Sequence, residues 1–148
     1  MYPLNDVTEF DTAFLYTAYA IRSNGTLWAW GLNDNGQIGD GTQVNKSSPV
    51  QVGTLSNWSK VSGGLHYTMA IKTDGTLWGW GYNVQGQLGI NTSSSVSSPV
   101  QVGTLSEWSQ VSTGSSHTMA VKTDGTLWAW GDNGYSQLGD GTYTSRSP

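Results

Sequence analysis

Along Tyr67-Thr-Met-Ala-Ile71 large and small residues alternate, Lys72-Thr-Asp-Gly75 interrupts the pattern, and Thr76-Leu-Trp-Gly-Trp-Gly81 alternates again. Successive side chains of a strand face opposite sides, so two alternating runs around a polar, glycine-containing break predict an antiparallel hairpin. The break contains Asn24-Gly25, Asp74-Gly75 and Asp124-Gly125 in three places. These dipeptides are favoured in two-residue type I′ turns, whose central residues need positive φ. Ahead of the hairpin, Trp58-Ser-Lys-Val61-Ser62 predicts another strand and Pro49-Val-Gln-Val52 a fourth.

The pattern repeats. Gly25-Thr-Leu-Trp28, Gly75-Thr-Leu-Trp78 and Gly125-Thr-Leu-Trp128 are evenly spaced, and residues 49–81 and 99–131 differ only at 57, 60, 63, 65, 66, 67, 71 and 79. Four short strands per period describe a propeller blade, so the expected fold class is all-β, with β-propeller blades of four antiparallel strands in about three repeats of roughly 50 residues. The repeat region is read as 1–148, with units at 1–48, 49–98 and 99–148. The first unit is degenerate in its opening strand, where Thr8 and Asp11 are read at the places of Trp58 and Val61.

Alternation puts Trp78 and Trp80 on one face of the sheet and Leu77 and Gly79 on the other. Both faces are apolar or flat and need cover, which stacked blades give one another without helices. Trp28, Trp30, Trp58, Trp78, Trp80, Trp108, Trp128 and Trp130 are therefore assigned to blade-to-blade packing, where an aromatic side chain buries a large area. The competing use is an exposed platform for sugar rings.

Composition narrows the partners. Charged residues are 11% of the chain and the formal net charge is −4, which leaves no electrostatic footprint for phosphate backbones or anionic lipid. Neither nucleic acid nor membrane insertion is expected. With no cysteine, disulfides and thiolate metal sites are excluded, and an extracellular setting stays open. The apolar stretch from Phe10 to Ile21 is broken by Asp11, Thr12 and Thr17 and has no basic lead, so it reads as neither a spanning helix nor a secretory signal.

His117-Thr-Met-Ala-Val121, Asp124-Gly125-Thr-Leu-Trp128-Ala-Trp130-Gly131, Asn133 and Gln137-Leu138-Gly139 together resemble the repeat of the regulator-of-chromosome-condensation family, in the style of its bacterial and phage propeller repeats. The second unit carries the resemblance through Thr68-Met-Ala-Ile71, Trp80-Gly81, Asn83 and Gly86-Gln-Leu-Gly89, with Tyr67 where the family commonly has His. The first carries Trp30-Gly31, Asn33 and Gly36-Gln-Ile-Gly39, with Thr17 at that position. The resemblance implies a seven-bladed propeller, or an assembled ring, of which this chain is a part. The founding member's nucleotide exchange on a small GTPase and docking on chromatin have no transferable residues here.

Candidate chemistry is sparse. Asn33-Asp-Asn35-Gly36-Gln-Ile-Gly39-Asp40 has the alternating oxygens of a calcium loop, but Asn83-Val-Gln-Gly86-Gln-Leu-Gly89-Ile90 has no carboxylate, so a structural inter-strand loop is expected and no metal or cofactor. His66 and His117 are not at equivalent positions, and His117 is read as a hydrogen-bonded packing residue. No nucleophile elbow or phosphate loop is present, so no enzyme activity is expected. Ser-rich segments at 45–48, 93–98 and 144–147 are read as solvated connections that could display a variable recognition surface.

The chain ends at Pro148, where the next outer strand is expected, so the last unit is read as ending in mid-blade with an apolar face that a further blade, another copy or a partner must cover. The expected function is a non-catalytic structural or interaction module, an assembly or adhesion protein of a surface, appendage or virion. The expected setting is extracellular, cell-surface or virion rather than cytoplasmic. The alternatives are an intracellular propeller docking a protein partner and a glycan-binding propeller.

Overall fold

The computed structural model describes residues 4–147 and contains three antiparallel sheets. The first orders β1 (Val7–Thr12), β2 (Thr17–Arg22), β3 (Leu27–Gly31) and β4 (Lys46–Gln51); the second orders β5 (Trp58–Gly63), β6 (Tyr67–Lys72), β7 (Leu77–Gly81) and β8 (Val96–Gln101). The third contains β9 (Trp108–Thr113), β10 (His117–Lys122) and β11 (Leu127–Gly131), with a bridge from Gly131 to Arg146 in place of a fourth strand. These are propeller blades. Residues 1–3 and Pro148, at the ends of the 1–148 region and the expected start of a further strand, lie outside the described residues.

Blades and sequence units are out of phase. The strand expected at Pro49–Val52 is β4, hydrogen-bonded to β3, so it closes the blade before it and does not open the next. The β3–β4 connection, Leu32 to Asn45, folds on itself and returns the chain along the outer edge of the same sheet.

The hairpins fall where the dipeptides are, but the turn differs from type I′. Positive φ occurs at Gly25 (76°), Gly75 (79°) and Gly125 (86°), and not at Asn24, Asp74 or Asp124. Gly75 N–H donates to Lys72 O (2.9 Å) and Lys72 N–H to Thr76 O (3.0 Å). That is a three-residue loop, a type I turn followed by a left-handed glycine. Asp74 does not take positive φ and uses its carboxylate on Thr76 N–H (3.0 Å) and Thr76 Oγ1 (2.6 Å), which favours this turn over the tighter one.

The opening strand of the first blade is shifted by one residue from the places read in the sequence. Val7 pairs with Arg22 and Phe10 with Ala20, as Trp58 pairs with Lys72 and Val61 with Ala70. Val7 and Phe10, and not Thr8 and Asp11, therefore stand at the places of Trp58 and Val61. The cause is one extra residue between β1 and β2: Ala13 N–H reaches Thr17 O across Phe14-Leu15-Tyr16, whereas Gly64 N–H reaches Tyr67 O across Leu65-His66. Tyr16 absorbs the insertion at φ 61°.

The core lies between blades. Tyr19, Ile21, Leu27, Ala29 and Ile38 of the first blade meet Trp58, Val61, Ala70 and Trp80 of the second. Tyr67, Met69, Ile71, Leu77 and Leu88 of the second meet Trp108, Ala120 and Trp130 of the third. Each blade thus turns one strand face backward and the other forward, as alternation requires. Trp80 and Trp130 are fully buried. Covering an indole of roughly 200 Å² is worth about 5 kcal/mol as an upper figure.

Candidate functional site

The joint between blades is built from the β3–β4 loop upward. Asn33 is fully buried; its Nδ2 donates to Thr42 O (3.0 Å) and Val44 O (3.2 Å), and its Oδ1 accepts from Ile38 N–H (2.9 Å). Asp40 Oδ1 accepts from Thr42 Oγ1 (2.7 Å), and Asp40 Oδ2 faces Lys46 Nζ at 3.0 Å. Two of the oxygens that resemble a calcium loop in sequence, Asn33 Oδ1 and Asp40 Oδ1, thus accept from protein donors, while Asp34 is exposed. Asn83 makes the same lock on Thr92 O (2.7 Å), Ser94 O (3.1 Å) and Leu88 N–H (2.9 Å).

The lock aims one backbone carbonyl at the next blade. Gln37 O accepts from Thr68 Oγ1 (2.7 Å), Trp80 Nε1 (2.9 Å) and Tyr19 OH (3.2 Å). Gln87 O accepts from Thr118 Oγ1 (2.8 Å) and Trp130 Nε1 (3.0 Å). Close approach demands glycine two positions on, since a Cβ on Gly39 would lie 2.5 Å from Trp80 Nε1. Asp11 Oδ2 adds a bond from Gly63 N–H (2.8 Å), and Lys60 reaches Glu9 at 3.3 Å, a partly exposed pair of little energetic weight.

The sequence-assigned tryptophans divide by position. Trp80 and Trp130 lie in the joints, while Trp58 and Trp108 are buried beside them, edge-on to Trp78 (6.1 Å) and Trp128 (6.2 Å). Trp28, Trp78 and Trp128 donate Nε1 to Thr26, Thr76 and Thr126 Oγ1 at 3.0, 2.8 and 3.2 Å, with Trp28 and Trp78 half-buried and Trp128 exposed. Lys72 Nζ sits 3.5 Å from the Trp78 ring centre, a cation–π contact that sequence reading missed. Burial pushes the Lys72 ammonium below its usual range, with Asp74 opposing. The Thr76 and Thr126 hydroxyls hold the Asp74 and Asp124 carboxyls low, and burial pushes the Tyr19 and Tyr67 phenols up.

His117 packs its ring over Gly114, where a Cβ would lie 2.1 Å from the ring. His66 Nδ1 lies 3.7 Å from Asp34 Oδ1 across the first joint. Among the described residues no three His, Asp or Glu converge as metal ligands, and no helix is long and apolar enough to cross a membrane.

Both end faces are uncovered among the described residues. On the first blade, Trp30 pairs with Ala18 as Trp80 pairs with Thr68. Beside it opens a cleft of about 530 Å³ lined by Leu4, Val7, Phe10, Asp11, Ala18, Ala20, Trp30 and Pro49. Phe10 is 77% exposed there. On the third blade Leu127 and Trp128 are exposed, and nothing lies within 4 Å of a Cβ built on Gly139. Sequence reading missed Gln37, Gln87, Thr68 and Thr118 as joint residues because the acceptor is a main-chain carbonyl; the recurring Gln-Leu-Gly run is the only signal of it.

The Regulator of chromosome condensation (RCC1) repeat model matches residues 24–71 and 74–121. A second model of the same description matches 58–87 and 108–137. Comparison with curated protein sequences finds no match. Among solved structures, human WBSCR16 is similar at TM-score 0.84 and 22% identity, covering 100% of this chain and 38% of that one. Prp20p of Saccharomyces cerevisiae, a structure reported with its binding to Gsp1p and histones, is similar at TM-score 0.82 and 23% identity, covering 97% and 37%. The C-terminal domain of gp131 from bacteriophage phiKZ is similar at TM-score 0.57 and 16% identity, covering 96% and 41%. The chain spans about two-fifths of the length of these structures.

Proposed function

Since the chain belongs to the regulator of chromosome condensation repeat family, we propose that it is a non-catalytic propeller segment that binds protein, and that it serves as a structural or adhesive part of a surface, appendage or virion. The observation that carries the protein-binding half is the match to this repeat family together with the similarity, over nearly the whole chain, to Prp20p, a structure reported with its binding to Gsp1p and histones. Support for the second half comes from the low charge, the Ser/Thr/Asn-rich connections and the similarity to a phage protein domain.

A second reading, an intracellular regulator that docks a protein partner, draws on the similarity to the yeast protein that binds Gsp1p and histones. A third, glycan binding, draws on the 41% exposure of Trp128. Fractionation of the native source with an antibody to the chain separates the first two. Recovery with particles or the cell surface is the expected result, and recovery in the cytosol alone refutes the surface role. Tryptophan fluorescence titrated with an oligosaccharide panel is expected to stay flat; saturable quenching lost in Trp128→Ala would favour the glycan reading.

A further inference from the structure

We propose that the second and third blades each hold a binding site for a small aliphatic carboxylate, one at Lys72, Trp58 and Trp78 and the other at Lys122, Trp108 and Trp128. Each site lies where one blade faces another, the second against the first and the third against the second.

Three strands bring the groups together. Trp58 pairs with Lys72, and Trp78 with Ala70, two positions along the same strand and so on the same face. Trp108 opposite Lys122 and Trp128 opposite Ala120 repeat the arrangement. Lys72 Nζ ends 3.5 Å from the Trp78 ring centre and 5.0 Å from that of Trp58; Lys122 Nζ ends 4.3 Å from Trp128 and 5.3 Å from Trp108. Only 6% of Lys72 and 9% of Lys122 is exposed. A ring face attracts an ammonium, but its three N–H donors still call for oxygen acceptors. Among the described residues neither ammonium has an ion-pair partner. Asp74 acts on Lys72 from farther off and places its carboxylate on Thr76.

The indoles of Trp58 and Trp108 add a second unpaired donor to each set. Both Nε1 atoms are buried without an acceptor among the described residues, whereas Trp78 and Trp128 give theirs to Thr76 and Thr126. A buried donor left unpaired is costly, yet the same pair of donors recurs in two blades. An ammonium and an indole N–H beside it match the two oxygens of a carboxylate, whose charge strengthens both bonds. Against the same rings of the third blade opens a cleft of about 120 Å³, walled further by Val102, Gly103 and Leu105, which suits a short aliphatic tail. Val52, Gly53 and Leu55 are the same residues at the first joint. The first blade is the contrast: Arg22 stands at the place of Lys72 and Val7 at that of Trp58, and Arg22 Nε already donates to Asn5 O at 3.1 Å. Its cation has an acceptor, and no indole stands unpaired beside it.

The test is a titration of the full 148-residue chain, labelled with nitrogen-15, with sodium butyrate at constant ionic strength, read by proton–nitrogen NMR of the tryptophan indoles. Trp58→Phe and Trp108→Phe assign the two resonances. Saturable shifts of the Trp58 and Trp108 indole N–H signals are expected, with sodium chloride alone giving neither. Lys72→Met keeps an apolar stem on the rings and removes the ammonium. It is expected to abolish the Trp58 shift and leave that of Trp108, and Lys122→Met to do the reverse, so each variant carries its own control for folding. Absence of saturable shifts in the unmodified chain, as when water alone meets these donors, overturns the proposal. So do shifts that survive both lysine changes, or equal shifts with chloride, which would make the site one for a simple halide and not for a carboxylate.

Discussion

The carbonyl of Gln87 is the place to test how a blade is held. Thr118→Val removes one donor with little change of shape, and Trp130→Phe removes the other while keeping a ring in the joint. Each single change leaves the carbonyl one partner, at a cost of about 1 kcal/mol for the hydrogen bond and about 1 kcal/mol more for the lost indole area. Together they leave a buried acceptor with no donor, which adds a desolvation penalty of about 1–3 kcal/mol. The double mutant should therefore be less stable than the singles predict, with a coupling of about 1–2 kcal/mol. The equivalent cycle at the first joint, Thr68→Val with Trp80→Phe, leaves Gln37 O the Tyr19 hydroxyl at 3.2 Å, because Tyr19 stands where the second blade has Met69. Its coupling should be about 0.5 kcal/mol or less. Urea unfolding followed by tryptophan fluorescence measures both cycles, provided the denaturant slope is the same in every variant. Equal coupling at the two joints, or additivity at Gln87, would refute the account of a shared carbonyl acceptor.

Asn83→Leu should cost about 2–4 kcal/mol, since it orphans the buried Leu88 N–H and frees Thr92 O and Ser94 O; thermal melts read this, and a loss below about 1 kcal/mol would contradict the lock. In acid, Asp74 has a folded pKa below its unfolded value, so its contribution is present above about pH 4 and is lost as pH falls toward the folded value. Asp74→Asn should flatten the decline in melting temperature below about pH 4. In alkali the sign reverses: Tyr19 and Tyr67 have folded pKa values above the unfolded one, so stability is present below about pH 10 and falls as pH rises beyond it. Absorbance at 295 nm should show these two phenols ionising only with unfolding; ionisation while the chain stays folded would show that they are not enclosed.

The period, the all-β class and the sites of the hairpins were legible in the chain because each rests on neighbours a few residues apart: alternation, Asp-Gly breaks, and recurrence of Trp-x-Trp-Gly. The two-faced packing of the blades also followed, since Leu77 and Trp78 must point opposite ways on one strand. Three things were decided only in three dimensions. The register of the first strand depends on an insertion at Phe14-Leu15-Tyr16, which fixed spacing cannot see and pairing partners reveal. The turn type depends on which residue takes positive φ, and Asn-Gly or Asp-Gly serves either turn until the Asp carboxylate finds Thr76 or Thr126. The joint itself depends on a main-chain carbonyl that every residue possesses, made distinctive at Gln37 and Gln87 by donors 31 and 43 positions away. Local pattern dictates which face a side chain takes; only the folded chain brings a backbone oxygen and its distant donors to one point.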